Sequence, residues 1–279
     1  MDYLVNIIAE LGINHKGDYS IAKDLILYAH ESQCWGVKFQ YRNIETFYES
    51  VQEIGDEIIS QEIIKTELPI DKILSLSDFA RGLGLKVGIS FFRIEDFNDL
   101  SKYANYFDFF KVPSAEATNM PLVETLVATG KSVMVSSGGH DSEQLKKAYK
   151  VINKDDITIF HCVANYPAKL GSQNLLFINE LRDMGFKSIG YSSHDEDYEV
   201  CYLAASLGAT WIERHLTKDC KGSGLDDSSS SEREDFNRMG KILNNFELIM
   251  GVKPRIPNQG EKLNMQNLGT SMYAKKNLT

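Results

Sequence analysis

Eight short apolar runs recur along the chain, and nearly every one ends in a residue able to do chemistry. The first four are Val5-Asn6-Ile7-Ile8-Ala9-Glu10, Gly36-Val37-Lys38-Phe39-Gln40, Lys86-Val87-Gly88-Ile89-Ser90 and Phe109-Phe110-Lys111-Val112-Pro113-Ser114. The rest are Ser132-Val133-Met134-Val135-Ser136-Ser137, Ile157-Thr158-Ile159-Phe160-His161-Cys162, Ser188-Ile189-Gly190-Tyr191-Ser192-Ser193-His194 and Thr210-Trp211-Ile212-Glu213-Arg214-His215. Short, β-branched and apolar on both faces is how buried parallel strands read. Amphipathic stretches lie between them. Strand alternating with helix, wound by right-handed crossovers, predicts an α/β protein with a (β/α)8 (TIM) barrel.

Tyr19 to Glu31 spaces Ile21, Leu25, Ile26, Tyr28 and Ala29 as one helical face, with Asp18 as its cap. Asp71 to Gly82 repeats the pattern, stopped by Gly82 or Gly84. Further helices are expected at 95–104, 119–129, 141–152, 172–184, 197–207 and 232–250. The 279 residues suit one barrel of about 250 residues, so residues 1–252 are expected to form it. Residues 253–279, polar and carrying Pro254 and Pro257, are expected to be a C-terminal extension or linker. The long stretch 41–70, with Tyr41, Arg42, Phe47 and Tyr48, reads as an element covering a substrate.

In a barrel the site gathers at the C-terminal ends of the strands. That rule nominates Glu10, Lys38, Gln40, Ser90, Lys111, Ser114, Glu116, Ser136, His161, His194 and His215. His194 and His215 end neighbouring strands, and two imidazoles with a carboxylate or water suit Mn²⁺, Fe²⁺, Co²⁺ or Zn²⁺. Glu10 and Asp226 are the natural oxygen partners. Lys38 and Lys111 read either as Schiff-base nucleophiles or as fixed charges for an anion. With Ser90, Ser114, Ser136 and Ser192 nearby, a phosphate or carboxylate site is the stronger reading. Gly12 to Asp18 and Tyr166-Pro167 are polar loops that could touch a substrate.

These residues carry a family resemblance. Ile8-Ala9-Glu10-Leu11-Gly12-Ile13-Asn14-His15-Lys16-Gly17 resembles the opening signature of the sialic acid (N-acetylneuraminate) synthase family. Val37-Lys38-Phe39-Gln40, Lys111-Val112-Pro113-Ser114-Ala115-Glu116, Ser136-Ser137-Gly138, His161-Cys162…Tyr166-Pro167, Ser192-Ser193-His194-Asp195 and Ile212-Glu213-Arg214-His215-Leu216-Thr217 resemble its later blocks, in order. The resemblance implies condensation of phosphoenolpyruvate with an aldose, giving a nonulosonic (sialic-acid-like) 3-deoxy-ulosonate and phosphate. N-acetylmannosamine is the default acceptor, with di-acetamido sugars as the alternatives. It implies His194 and His215 as ligands of a divalent metal, usually Mn²⁺, with Mg²⁺ or Co²⁺ as substitutes. Lys38, Ser90, Lys111, Ser114, Ser136 and Ser192 are then expected to hold phosphoenolpyruvate. Gln40, Glu116, Tyr166 and Asp226 face the sugar, and Glu10, His215 and Asp226 carry the catalysis. It also implies a homodimer. An antifreeze-protein-like domain usually follows the barrel in that family; this sequence stops where the linker to it is expected, so either a sequence cut short there or a variant without that domain is expected. Two departures stand out: Ala164 occupies the place of an asparagine that here falls at Asn165, and Ser90-Phe91-Phe92 replaces a threonine-proline turn.

The net charge of −9 argues against nucleic acid or an anionic membrane as partner. No apolar run approaches the roughly 18 residues of a membrane span, and the four cysteines are scattered with no C-x-x-C pair. A reduced, cytoplasmic enzyme serving surface-glycan synthesis is the expectation. Two other readings stay open: a lysine aldolase acting on pyruvate through a Schiff base, and a non-catalytic barrel that binds phosphoenolpyruvate.

Overall fold

The protein's structure, a computed structural model, describes residues 4–43, 57–251 and 253–270. Eight parallel strands close into a barrel in chain order. They are β1 (Asn6–Glu10), β2 (Gly36–Tyr41), β3 (Lys86–Phe91), β4 (Phe109–Val112), β5 (Ser132–Ser136), β6 (Ile157–Cys162), β7 (Ser188–Ser193) and β8 (Trp211–His215). β1 seals the ring against β8, with Glu10 opposite His215 and Ile8 opposite Glu213. The predicted (β/α)8 architecture is the one observed.

The outer layer is α1 (Tyr19–Glu31), α2 (Glu57–Lys65), α3 (Ile70–Gly82), α4 (Ile94–Leu100), α5 (Met120–Val127), α6 (Ser142–Ala148), α7 (Phe177–Asp183), α8 (Val200–Ser206), α9 (Arg233–Leu243), α10 (Phe246–Met250) and α11 (Gln259–Leu268). α1 is bounded as its periodicity predicts. Asp18 accepts from the Ser20 and Ile21 amides, and Ala22, Leu25, Ile26 and Ala29 are buried. Several helices depart from expectation. The 95–104 segment is a helix only to Leu100 and tightens into a 3-10 turn over Ser101–Tyr106. The 232–250 helix breaks at Asn244-Asn245, whose side chains bond backbone carbonyls of Gln33 and Lys241. The 172–184 segment becomes helical only at Phe177, and the 41–70 and 253–279 segments contain α2 and α11. Residues 44–56 of the expected covering element, including Phe47 and Tyr48, lie outside the described residues.

Side chains alternate across each strand, so one set faces the helices and the other fills the barrel. Ile8, Phe109, Met134 and Phe160, with Trp35 and Trp211 against them, plug its lower interior. Gly88 and Gly190 make room for this plug: a Cβ on Gly88 would stand 2.1 Å from the Phe109 ring, and one on Gly190 2.4 Å from Phe160. Above the apolar layer the inward residues turn polar, and there the site begins.

Candidate active site

Directly above the plug, the inward positions of seven strands converge on a cleft of about 340 Å³. Two ion pairs form its floor. Lys38 pairs with the Glu10 carboxylate and donates to Ser90 Oγ at 2.7 Å. Lys111 donates to Glu213 Oε1 at 2.9 Å and to Ser136 Oγ at 2.7 Å. Ser192 donates to the same Glu213 oxygen at 3.0 Å. Glu213 Oε2 is buried with no hydrogen-bond partner among the described residues. Burial alone would raise the Glu213 carboxyl, but Lys111 and Lys38 outweigh it and hold the group at about 2. Lys38 moves the other way: burial pushes its ammonium down to about 7, against the pull of Glu213. Ser114 completes the wall, its Oγ accepting from the Gly138 amide at 3.2 Å.

His194 and His215 rise beside this floor with ring centroids 5.5 Å apart. His194 Nδ1 faces the Val163 carbonyl at 3.1 Å; a carbonyl only accepts, so Nδ1 carries the proton and Nε2 keeps its lone pair. His215 Nδ1 is buried without a hydrogen bond and stands 3.4 Å from Asp226 Oδ2. Burial holds both imidazoles down at about 3, so both are neutral, the form that ligates metals. Among the described residues no group of three His, Cys, Asp or Glu stands at metal-ligating spacing. The donor chemistry nonetheless fits a divalent cation: two neutral imidazoles, one with its tautomer fixed, and an adjoining carboxylate. Gly12 is required at this point. It has φ +47°, and a Cβ there would come within 3.1 Å of the His215 ring.

The first and last loops are tied over the barrel mouth. Glu10 accepts from the Gly12 amide at 2.6 Å, and Asn14 donates to Leu216 O and Ser230 Oγ. Asp227 is wholly buried and accepts from Thr217 and the Gly224 amide, which leaves Asp226 turned to His215. Tyr166 stacks on His194 at 4.2 Å and remains half exposed. On the Gln40 side a second hollow of about 400 Å³ adjoins, lined by His15, Arg42 and Ile63 of α2.

Residues 25–255 match the NeuB family. The chain belongs to that family. It is 29% identical over 98% of its length to an N,N'-diacetyllegionaminic acid synthase of Campylobacter jejuni, 85% of which is covered. It is 27% identical over 96% of its length to the human N-acetylneuraminate-9-phosphate synthase, 77% covered. Among solved structures, the N-acetylneuraminic acid synthetase of Leptospira borgpetersenii superposes with TM-score 0.82 at 26% identity, covering 94% of this chain and 90% of that one.

In this NeuB-family barrel, eleven of the nominated residues line one cleft: Glu10, Lys38, Gln40, Ser90, Lys111, Ser114, Ser136, Tyr166, Ser192, His194 and His215. Asp226 joins them through His215. Two nominees stand apart. Glu116 sits in a 3-10 turn, where its carboxylate accepts from Asn119 at 2.8 Å, and it does not line the cleft. His161 faces the helices, its Nε2 on the Gln173 carbonyl at 2.6 Å and its ring against Phe177. Position explains this: His161 precedes the inward Cys162, so alternation sends it outward. Glu213 is the floor residue that a reading of strand ends passes over. Its signal was present, two places before His215 and therefore on the same face of β8. Phe92 was also passed over; it lines the cleft and carries the Arg42 guanidinium on its ring at 3.7 Å.

Proposed function

We propose that this protein condenses phosphoenolpyruvate with an aldose, in a divalent-metal-dependent reaction, to give a 3-deoxy-ulosonate and phosphate. The observation that carries the reading is the juxtaposition on one cleft wall of a serine-lined lysine pair with two neutral imidazoles. Buried lysines and hydroxyls converging in one pocket match an anion that must be held and then released as phosphate. His194 and His215, with Asp226, would hold the cation, Mn²⁺ by preference, which when bound supplies Lewis acidity toward a carbonyl oxygen.

Phosphoenolpyruvate lies on Lys38, Lys111, Ser90, Ser114, Ser136 and Ser192. Its methylene carbon attacks the aldehyde carbon of the open-chain sugar; a C–C bond forms and the aldehyde oxygen takes up a proton. The middle carbon of the enol, left electron-poor, accepts the oxygen of a water whose proton passes to Glu10. The bond between that carbon and the phosphate oxygen then breaks, the new hydroxyl gives its proton to the departing phosphate, whose charge Lys111 and Lys38 balance, and the ketone remains. Gln40, Tyr166 and Asp226 border the space on the acceptor side, where an N-acyl aldose such as N-acetylmannosamine or a di-acetamido relative is the proposed partner. The working unit is proposed to be a homodimer.

Phosphate release from phosphoenolpyruvate with Mn²⁺ and a panel of N-acyl, di-acetamido and plain aldoses tests this. Release with one sugar, abolished by EDTA, is the expected result; undiminished release in EDTA would refute the metal role. The aldolase reading predicts instead that borohydride traps a pyruvate adduct on Lys38 or Lys111. The condensation reading, in which both lysines serve as anion-holding partners of carboxylates, predicts no such adduct.

A further inference from the structure

Most outward positions of the barrel strands carry aliphatic or aromatic side chains packed under the helices, but the one between Glu213 and His215 carries Arg214. Its guanidinium is wholly buried. Such burial is unfavourable unless its donors are matched, and here they are. Nε donates to Ser231 Oγ at 2.7 Å, Nη1 to Ser193 Oγ at 2.6 Å, and Nη2 to the backbone carbonyls of Asp195 at 2.9 Å and Glu196 at 3.3 Å. The Ser193 hydroxyl in turn donates to Asp195 Oδ2 at 2.8 Å, which also accepts from Tyr191 at 2.7 Å. The charge is therefore balanced by Asp195 through a serine rather than by direct contact.

The partners of this one group fall immediately around the two imidazoles. Ser193 and Asp195 flank His194 in the chain. Ser231 donates its amide to the His215 carbonyl at 2.9 Å. One planar fork thus joins the segment that carries His194 to the segment that carries His215, from the side of the sheet opposite the cleft, where no substrate reaches. A lysine could not reproduce four bonds in this plane. We propose that Arg214, backed by Asp195, is a positioning device that fixes the separation and tilt of His194 and His215 and so sets how tightly the protein holds a divalent cation. The inference rests on the reading of those imidazoles as the metal pair.

The test is Mn²⁺ titration of the full chain, followed by the loss of the free-ion paramagnetic signal, alongside melting temperature and calorimetry of phosphoenolpyruvate in EDTA. Wild type should bind Mn²⁺ and His215→Ala should not. Arg214→Lys and Asp195→Asn, folded by circular dichroism, should bind Mn²⁺ about ten- to hundred-fold more weakly, while metal-free phosphoenolpyruvate affinity moves far less. Arg214→Met should be the weakest of the three; if it does not fold, the two conservative variants decide. A merely structural role predicts lowered melting with unchanged Mn²⁺ affinity of the folded fraction, and that result overturns the proposal. Absence of Mn²⁺ binding by wild type would instead remove the metal reading itself.

Discussion

Lys111 and Glu213 meet at 2.9 Å on the cleft floor, so the group best placed to grip an anion already has one. The pair is neutral before any ligand arrives, and Glu213 also holds Ser192. Glu213 therefore aims two donors while moderating how strongly they bind.

Replacing Glu213 with Gln keeps the shape and removes the charge. Lys111 and Lys38 are then left buried with less compensation, and a loss of about 3 kcal/mol of stability is expected. Inorganic phosphate should restore more of the melting temperature in the variant than in wild type. Equal phosphate effects on both would show that the lysines do not face the anion.

His215→Ala should leave the barrel folded, because the side chain is at the mouth rather than in the plug, and should abolish turnover at every Mn²⁺ concentration. Circular dichroism and the phosphate-release assay check the two halves separately. Residual turnover that persists in EDTA would remove the metal from the reaction.

Gly88→Ala should be costly, since the new methyl would overlap the Phe109 ring. A destabilisation of about 1–3 kcal/mol, read from urea midpoints, is expected for such overpacking. The double variant with Phe109→Leu should recover part of it; no recovery would mean that the clash is not with that ring.

His15 is buried in the first loop, and burial lowers its pKa to about 4 from 6.5. The unfolded chain therefore binds the proton more readily. The neutral His15 contributes its full share of stability above pH 6.5, and that share is lost as the pH falls from 6.5 towards 4, by up to about 3 kcal/mol. His15→Gln should flatten the urea midpoint across that window relative to wild type. Parallel curves for the two proteins would assign the acid sensitivity elsewhere.

The barrel was legible because parallel strands buried on both faces must be apolar throughout, and each of the eight runs becomes a strand within two residues of its expected ends. α1 was legible to the residue because a cap and a periodic face agree. Where the chain leaves regular structure, legibility falls. Alternation fixes which way a residue inside a strand points, but Glu116 lies beyond the end of β4, where a turn decides. The break after Leu243 involves the Asn244 side chain finding the Gln33 carbonyl of a distant turn, which no local pattern announces. Glu213 was readable from alternation alone, but its neighbour His215 has the more conspicuous chemistry. Arg214 shows the opposite limit: only the fold reveals that a charged residue on the sheet's outer face is dry.

The aromatic plug beneath Lys111 and Glu213 also makes the barrel a blind well. With the bottom stoppered by Phe109, Phe160 and Met134, traffic uses a single door at the top. On the proposed condensation, the anion on the lysines lies deepest and would enter before the sugar, and phosphate freed there would leave after the larger product.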